Sequence, residues 1–313
     1  MVISARLRKA FTFSIKLIVS AGAIALVVSR IDISQTWATI CSARSAYLLL
    51  ALVVYIASQM LSAMRLNTFF ATMPLPLGTL MNMRLYWLGM FYNFFLPGGV
   101  GGDGYKVYYL NRHYRRGTKE LIAVMFSDRM SGLAAIVIYL LLFASLLVNT
   151  QVFALQQWLW CGIPVVLAGY WLFVRIVKRS ATGRAWRVMG YSMVIQFVQM
   201  SAAGIILYAL AGELDNWKHY MLLFYASSIA SAIPISMGGI GLREAAFVYG
   251  SAWLGTDENV AVALSVLFYV TSLVASLPGL LFVVRPSWIE GRRPHRGTPL
   301  YRHSPSDDTT SHI

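Results

Sequence analysis

Apolar residues run along this chain in long blocks, separated by short polar stretches rich in Arg, Lys and Gly. The blocks at 10–29, 45–63, 121–148, 157–176, 189–211 and 260–284 each reach or approach the roughly 20 residues that a helix needs to cross a hydrocarbon core. Two further blocks, 80–109 and 220–254, are interrupted near their middles. The first breaks at Pro97-Gly98-Gly99-Val100-Gly101-Gly102, the second at Pro234 and at Gly238-Gly239-Ile240-Gly241. This pattern predicts an all-α integral membrane fold: a polytopic bundle of about six full spans plus two re-entrant or broken helical hairpins.

The polar stretches orient the spans. With the N-terminus in the cytoplasm, Arg6, Arg8, Lys9, Arg65, Lys106, Arg112, Arg115, Arg116, Lys119, Arg175, Lys178, Arg179, Arg184, Arg187 and a basic stretch at 285–302 all fall inside. Outside lie Arg30, Arg44 and Lys218, with the acids Asp32, Glu213, Asp215, Asp257 and Glu258. Such asymmetry obeys the positive-inside rule. It also requires each broken block to return to the face it left. Its arms, of about 14–17 residues, are short for a full crossing. Two re-entrant hairpins, one from each face, satisfy both conditions, because irregular backbone at membrane depth is tolerated where protein or a wet cavity covers it.

The order of blocks repeats: two spans, a broken hairpin carrying Gly-Gly-(Val/Ile)-Gly, and a final span, with halves at roughly 10–148 and 157–284. Three crossings per half give the halves opposite topology, the inverted-repeat pattern of secondary transporters. One transmembrane domain is therefore expected over 1–284, followed by a disordered basic cytoplasmic tail over 285–313. The block at 10–29 is long for a signal peptide and reads as an uncleaved first helix.

Composition agrees. Of 313 residues 58% are hydrophobic and only 12% charged, where a soluble domain carries roughly 25%. The formal net charge of +14 is gathered between apolar blocks, so it reads as topology control, and a nucleic-acid partner is not expected. Cys41 and Cys161 have no metal-ligand spacing and read as buried, inert thiols. No metal or other cofactor is expected.

Few charges interrupt the apolar blocks: Lys16, Arg84, Asp103, Asp128, Arg129, Arg243 and Glu244. A charge at bilayer depth costs about 2.5–3.5 kcal/mol even on the lenient insertion scale, so such residues face a cavity or a partner. Arg243 and Glu244 open the helix after the second break; Asp103 and Lys106 hold the comparable place after the first. On one reading the two broken tips meet and bind a phosphorylated head group at half-helix N-termini. On the other, Asp103 caps its helix and Arg243 pairs with a carboxylate such as Asp128. Asp128 and Arg129 are neighbours on a helix and point about 100° apart, so each needs another partner. Arg243, Glu244 and Arg84 are candidates. Lys16 can snorkel to the surface. Tyr86, Trp87, Tyr92, Phe94 and Phe95 read as aromatic packing. Gly99-Val100-Gly101-Gly102-Asp103-Gly104 fits the dinucleotide spacing G-x-G-x-x-G, but no strand precedes it, and glycine for a tight membrane turn is the better reading.

Phe91-Tyr92-Asn93-Phe94-Phe95-Leu96-Pro97-Gly98-Gly99-Val100-Gly101-Gly102-Asp103 and Pro234-Ile235-Ser236-Met237-Gly238-Gly239-Ile240-Gly241-Leu242-Arg243-Glu244 resemble the two signature segments of the lysylphosphatidylglycerol synthase transmembrane family, and Ser127-Asp128-Arg129 resembles a third. The resemblance extends to about residue 284. It implies a flippase-like protein of the bacterial inner membrane that moves a lipid between leaflets. Aminoacyl-lipid members carry a soluble aminoacyltransferase domain after the membrane part. Here a short polar tail follows, so that activity is not expected. Arg84, Asn93, Asp103, Lys106, Asp128, Arg129, Arg243 and Glu244 are the candidate substrate-binding residues, with Pro97, Gly98, Gly99, Gly101, Gly102, Pro234, Gly238, Gly239 and Gly241 as the backbone breaks. The expected partner is a membrane lipid with a phosphate head group. A membrane enzyme acting on a polyprenyl-phosphate sugar is the alternative, and a non-transporting scaffold for envelope assembly a third reading. The few cytoplasmic acids, Glu120, Glu290, Asp307 and Asp308, speak against a metal-dependent enzyme.

Overall fold

A computed structural model describes residues 32–285 other than 74, 76, 96–100, 116, 148–152, 213–215 and 233–240, together with Ala25 and Ser29. The first expected span apart from Ala25 and Ser29, together with Lys16, Glu213, Asp215, most of the basic tail and the breaks at Pro97, Gly98, Gly99, Pro234, Gly238 and Gly239, lies outside the described residues.

The described residues form α1 (Ile33–Ser42), α2 (Ser45–Phe70), α3 (Thr79–Phe95), α4 (Gly101–Tyr114), α5 (Thr118–Leu147), α6 (Phe153–Val177), a 3₁₀ turn (Arg179–Arg184), α7 (Ala185–Ala211), α8 (Trp217–Ala232), α9 (Leu242–Leu254), α10 (Glu258–Ser276) and α11 (Pro278–Val284). Five stretches are long and apolar enough to cross a membrane: Ser45–Phe70, Thr118–Leu147, Trp158–Val177, Arg179–Ala211 and Glu258–Val284. The chain is a multi-pass helical membrane protein. The four hairpin arms are shorter. At 1.5 Å per residue α3 and α4, of 17 and 14 residues, rise about 26 and 21 Å, and α8 and α9, of 16 and 13, about 24 and 20 Å, against a core of about 30 Å.

Cross-contacts fix which ends share a face. The Arg44 amide donates to the Ala209 carbonyl at 3.2 Å, and Tyr47 meets Tyr208 edge to face, so α2 and α7 run antiparallel. Phe143 near the end of α5 touches Trp217 at the start of α8, and Thr36 of α1 donates to Asn259 of α10. The starts of α2, α8 and α10 therefore lie on one face with the ends of α5 and α7. On the other, Asn111 near the end of α4 bonds Thr118 at the start of α5, and Lys178 pairs with Glu120. The α3–α4 hairpin thus enters from one face and the α8–α9 hairpin from the other. The first of these faces carries Arg112, Arg115, Lys119, Arg175, Arg179, Arg184, Arg187 and Arg285. The second carries Arg44 and Lys218 against Asp32, Asp257 and Glu258, with Trp37, Trp158, Trp217 and Trp253 exposed around it as an interfacial aromatic belt.

The repeat is visible in the element order. Helices starting at 45, 79, 101 and 118 recur at 185, 217, 242 and 258, an offset of about 140. Two apolar cores form, and each draws residues from both halves. One gathers Leu66, Phe70, Leu85, Leu110, Leu121 and Val188 near the basic face. The other gathers Ala51, Tyr55, Ile206, Phe224, Phe247 and Leu264 towards the opposite face. Along α2 and α7 a buried polar layer of Ser58, Gln59, Ser62, Arg65, Ser192 and Gln196 separates them.

Several expectations are corrected. The second span does not end at 63: α2 continues to Phe70 and holds Arg65 inside the bundle rather than in a cytoplasmic loop. The last span is not one continuous helix. Leu277 and Pro278 divide α10 from α11, because proline has no N–H to continue the ladder. Beside this break the Trp87 indole donates to the Ala275 carbonyl at 3.2 Å. Replacing Trp87 by Phe is expected to lower stability by about 1 kcal/mol, read as a lower thermal midpoint in detergent. Helix α1 was not expected. Its N-cap Asp32 accepts from the Ser34 and Gln35 amides, and the Ser34 hydroxyl, then these amides, hold its carboxyl below the usual range. Cys41 and Cys161 are exposed rather than buried. On a membrane helix the outward face is as apolar as the inward one, so hydropathy does not separate the two.

Candidate functional site

The structure brings the intramembrane charges together in three places. The first is an ion pair between helices. Arg65 of α2 donates Nε to Asp128 Oδ1 at 2.9 Å and Nη2 to Oδ2 at 3.0 Å, while Nη1 donates to the Ser192 hydroxyl of α7 at 3.0 Å. Arg65 is 7% exposed. The fork geometry matches a carboxylate with two parallel bonds, which a lysine could not supply. Asp128 therefore pairs with Arg65, and not with Arg243 or Arg84 as the sequence suggested. Arg65 looked like an end-of-span anchor because its partner lies on another helix, 63 residues on. The signal that was present is spacing: Ser58, Ser62 and Arg65 recur at i, i+4 and i+7 on one face of an apolar helix.

The second cluster closes the α3–α4 hairpin. Asp103, in the first turn of α4, accepts from Lys106 at 3.2 Å through one oxygen and pairs with Arg129 of α5 through the other. Lys106 is buried, with its ammonium 4.6 Å from the centroid of the Tyr86 ring, a cation–π placement. It belongs to the bundle interior, not to the cytoplasmic loop. Asn93 near the end of α3 accepts the Gly102 amide at 2.9 Å and so satisfies a free N–H at the start of α4. Gly101 starts that helix, and Gly102 is buried against α3. Tyr86 reaches Gln59 at 3.4 Å, Tyr92 packs on Tyr105, and Phe94 sits edge-on to Tyr269 of α10, so these aromatics pack as expected. Arg84 is half-buried in the second turn of α3.

The third place is the start of α9. Gly241 caps it with φ of 87°, a conformation open to glycine and strained for other residues. Both oxygens of Glu244 are engaged: Oε2 accepts the Gly241 amide at 2.7 Å, and Oε1 accepts the Ser265 hydroxyl of α10 at 3.1 Å. Arg243 is half-buried with its guanidinium over the Phe268 ring, 5.3 Å from the centroid. Among the described residues no carboxylate or carbonyl accepts a hydrogen bond from it. Asp103 and Glu244 correspond in the repeat, and each ties the returning arm of its hairpin to the long helix that follows. The two hairpins share α10 as a support, through Phe94 on Tyr269 and Glu244 on Ser265.

A family model described as lysylphosphatidylglycerol synthase TM region matches residues 13–279. No curated protein matches the chain.

Proposed function

We propose, from the premise that the chain belongs to the lysylphosphatidylglycerol synthase TM region family, that it carries a phosphate-bearing lipid between the leaflets of the bacterial inner membrane. The basic face is then cytoplasmic by the positive-inside rule, the α3–α4 hairpin enters from the cytoplasm and the α8–α9 hairpin from outside. No covalent chemistry is assigned to the chain.

The observation that carries the reading is Arg243. Asp128 and Asp103 are neutralised by bonded cations, and Glu244 is occupied by a backbone amide and a serine. Arg243 keeps its charge at the start of a half-helix, against a ring face, without an oxygen acceptor of its own among the described residues. A guanidinium so placed takes an anion in two parallel bonds, and the helix start adds the attraction of its free N–H groups. Family membership supports a lipid-related role in the membrane, and phosphate is the anion nearest to hand there. Opposed hairpins on a common support suit alternating access, in which one repeat rocks against the other.

Replacing Arg243 by Gln keeps length and polarity but removes the charge. In proteoliposomes carrying a fluorescent phosphatidylglycerol, translocation read by dithionite quenching is expected to slow about tenfold or more, as for the loss of a charge-assisted pair. An unchanged rate would remove Arg243 from the site.

A further inference from the structure

Beside the buried Phe268 that supports Arg243, the bundle surface is cleft. A groove of about 260 Å³ runs between α2 and α10, lined by Leu48, Leu49, Leu52, Leu267, Val270, Thr271 and Val274. Its only polar side chain, Thr271, spends its hydroxyl on the Leu267 carbonyl at 2.7 Å and offers a methyl group instead. The groove opens outwards: Leu49 and Val270 are 64% and 43% exposed, and both belong to membrane-spanning helices. Its medium is therefore the acyl region of the bilayer rather than water.

What lies beneath links the groove to the cation. Tyr55, one turn along α2 from Leu52, meets Phe268 edge to face at 5.4 Å, and Phe268, next in the chain to Leu267, holds the Arg243 guanidinium over its ring. The apolar slot and the Arg243 guanidinium thus flank one aromatic pair, the slot through its chain neighbours Leu52 and Leu267 and the cation through contact with the Phe268 ring. The volume falls just below the roughly 300–1,000 Å³ of sites that enclose a whole ligand. It suits part of a molecule, a stretch of hydrocarbon chain.

We infer that the α2–α10 groove holds one hydrocarbon chain of the lipid whose anionic head group sits at Arg243. The substrate then enters sideways from the bilayer, and its chain stays in an apolar medium while only the head group crosses protein. The inference rests on the proposed role of Arg243 and adds the tail site to it.

Its test is photolabelling. The full-length protein in phosphatidylcholine nanodiscs would receive trace phosphatidylglycerol with a diazirine on one acyl chain, and adducts would be mapped by peptide mass spectrometry. Adducts are expected to concentrate on residues 48–52 and 267–274, about tenfold over lipid-facing Val165 and Leu172 of α6, and to fall to that background in Arg243→Gln. A diazirine diacylglycerol, lacking the anion, is expected to label both surfaces equally. Val270→Trp, which fills the groove from its lipid-facing side, should remove the adducts on α2. Equal labelling of groove and α6 by the phospholipid, adducts that persist in Arg243→Gln, or equal enrichment of diacylglycerol in the groove would overturn the inference. Groove adducts in a protein that does not translocate lipid would keep the tail site and sink the transport reading. Arg243-dependent translocation without groove adducts would do the reverse.

Discussion

Asp128→Asn is expected to destabilise the protein by roughly 3–5 kcal/mol, the penalty for removing one partner of a buried ion pair and leaving the other charged. The amide still accepts one bond from Arg65, but the guanidinium then carries its charge at 7% exposure with only Ser192 and a neutral group for company. Thermal unfolding in detergent would read the loss as a lower midpoint. The double variant Arg65→Met with Asp128→Leu separates structure from mechanism. With neither charge present, no unpaired ion remains, and stability is expected to recover to within about 1–2 kcal/mol of the parent or exceed it. If the double variant folds and translocates lipid at the parent rate, the pair serves as a fastening between α2, α5 and α7. Recovered stability without translocation would assign Asp128 a part in the transport cycle. Asp128→Asn as stable as the parent would deny the pair any weight.

The pair also shows where reading from sequence stops. Hydrocarbon thickness imposes blocks of about 20 apolar residues, so five of the six expected spans were legible from length, and the two short-armed hairpins from arm length together with their Pro and Gly breaks. Charge asymmetry gave their entry from opposite faces, because basic residues collect at one side. A partner for Asp128 was not legible. Pairing depends on which helices become neighbours, and α2, α5 and α7 are far apart in the chain. The same limit hid the end of α2: a lone arginine after an apolar block reads as an anchor in the head groups unless its carboxylate is known. Family resemblance pointed to Asp103, Asp128, Arg243 and Glu244 as a group, and the structure sorts them by what each already holds. That sorting singles out Arg243, since the others have hydrogen-bonded partners in place.

The two repeats differ in how they are held. At Asp103 the first hairpin is fastened by two cations, and at Glu244 the second is fastened by neutral donors. On the long helix that follows, Asp103 meets an opposite charge, Arg129, whereas Glu244 meets only a neutral hydroxyl, Ser265, so the first tie adds ion-pair attraction to its hydrogen bond. The α3–α4 hairpin is accordingly the stiffer of the two, and the α8–α9 hairpin, with Arg243 at its returning arm, the one freer to follow a bound anion.

Gly102→Ala follows from that stiffness and is the more severe of the backbone substitutions. A Cβ at Gly102 would stand 1.8 Å from the Gly89 carbonyl oxygen and 2.5 Å from its carbon, so α3 and α4 could not keep their separation. Backbone cannot step aside as a side chain does; the arms would part, and the Asn93 cap and the Asp103–Arg129 pair would part with them. A loss above about 4 kcal/mol is expected, among the largest single-residue effects, seen as failure to recover monodisperse protein from the membrane. Two neighbours calibrate it. A Cβ at Gly89 meets the Lys106 Cε at 2.4 Å, the far part of a flexible side chain that can swing away, so Gly89→Ala is expected to fold with Lys106 displaced from the Tyr86 ring. At Gly104 nothing lies within 4 Å, and alanine there should stabilise α4 by up to about 1 kcal/mol through its helix propensity. Equal yields and midpoints for Gly102→Ala and Gly104→Ala would mean that the two arms do not approach as closely as described, and the stiff first hairpin would be lost with that contact.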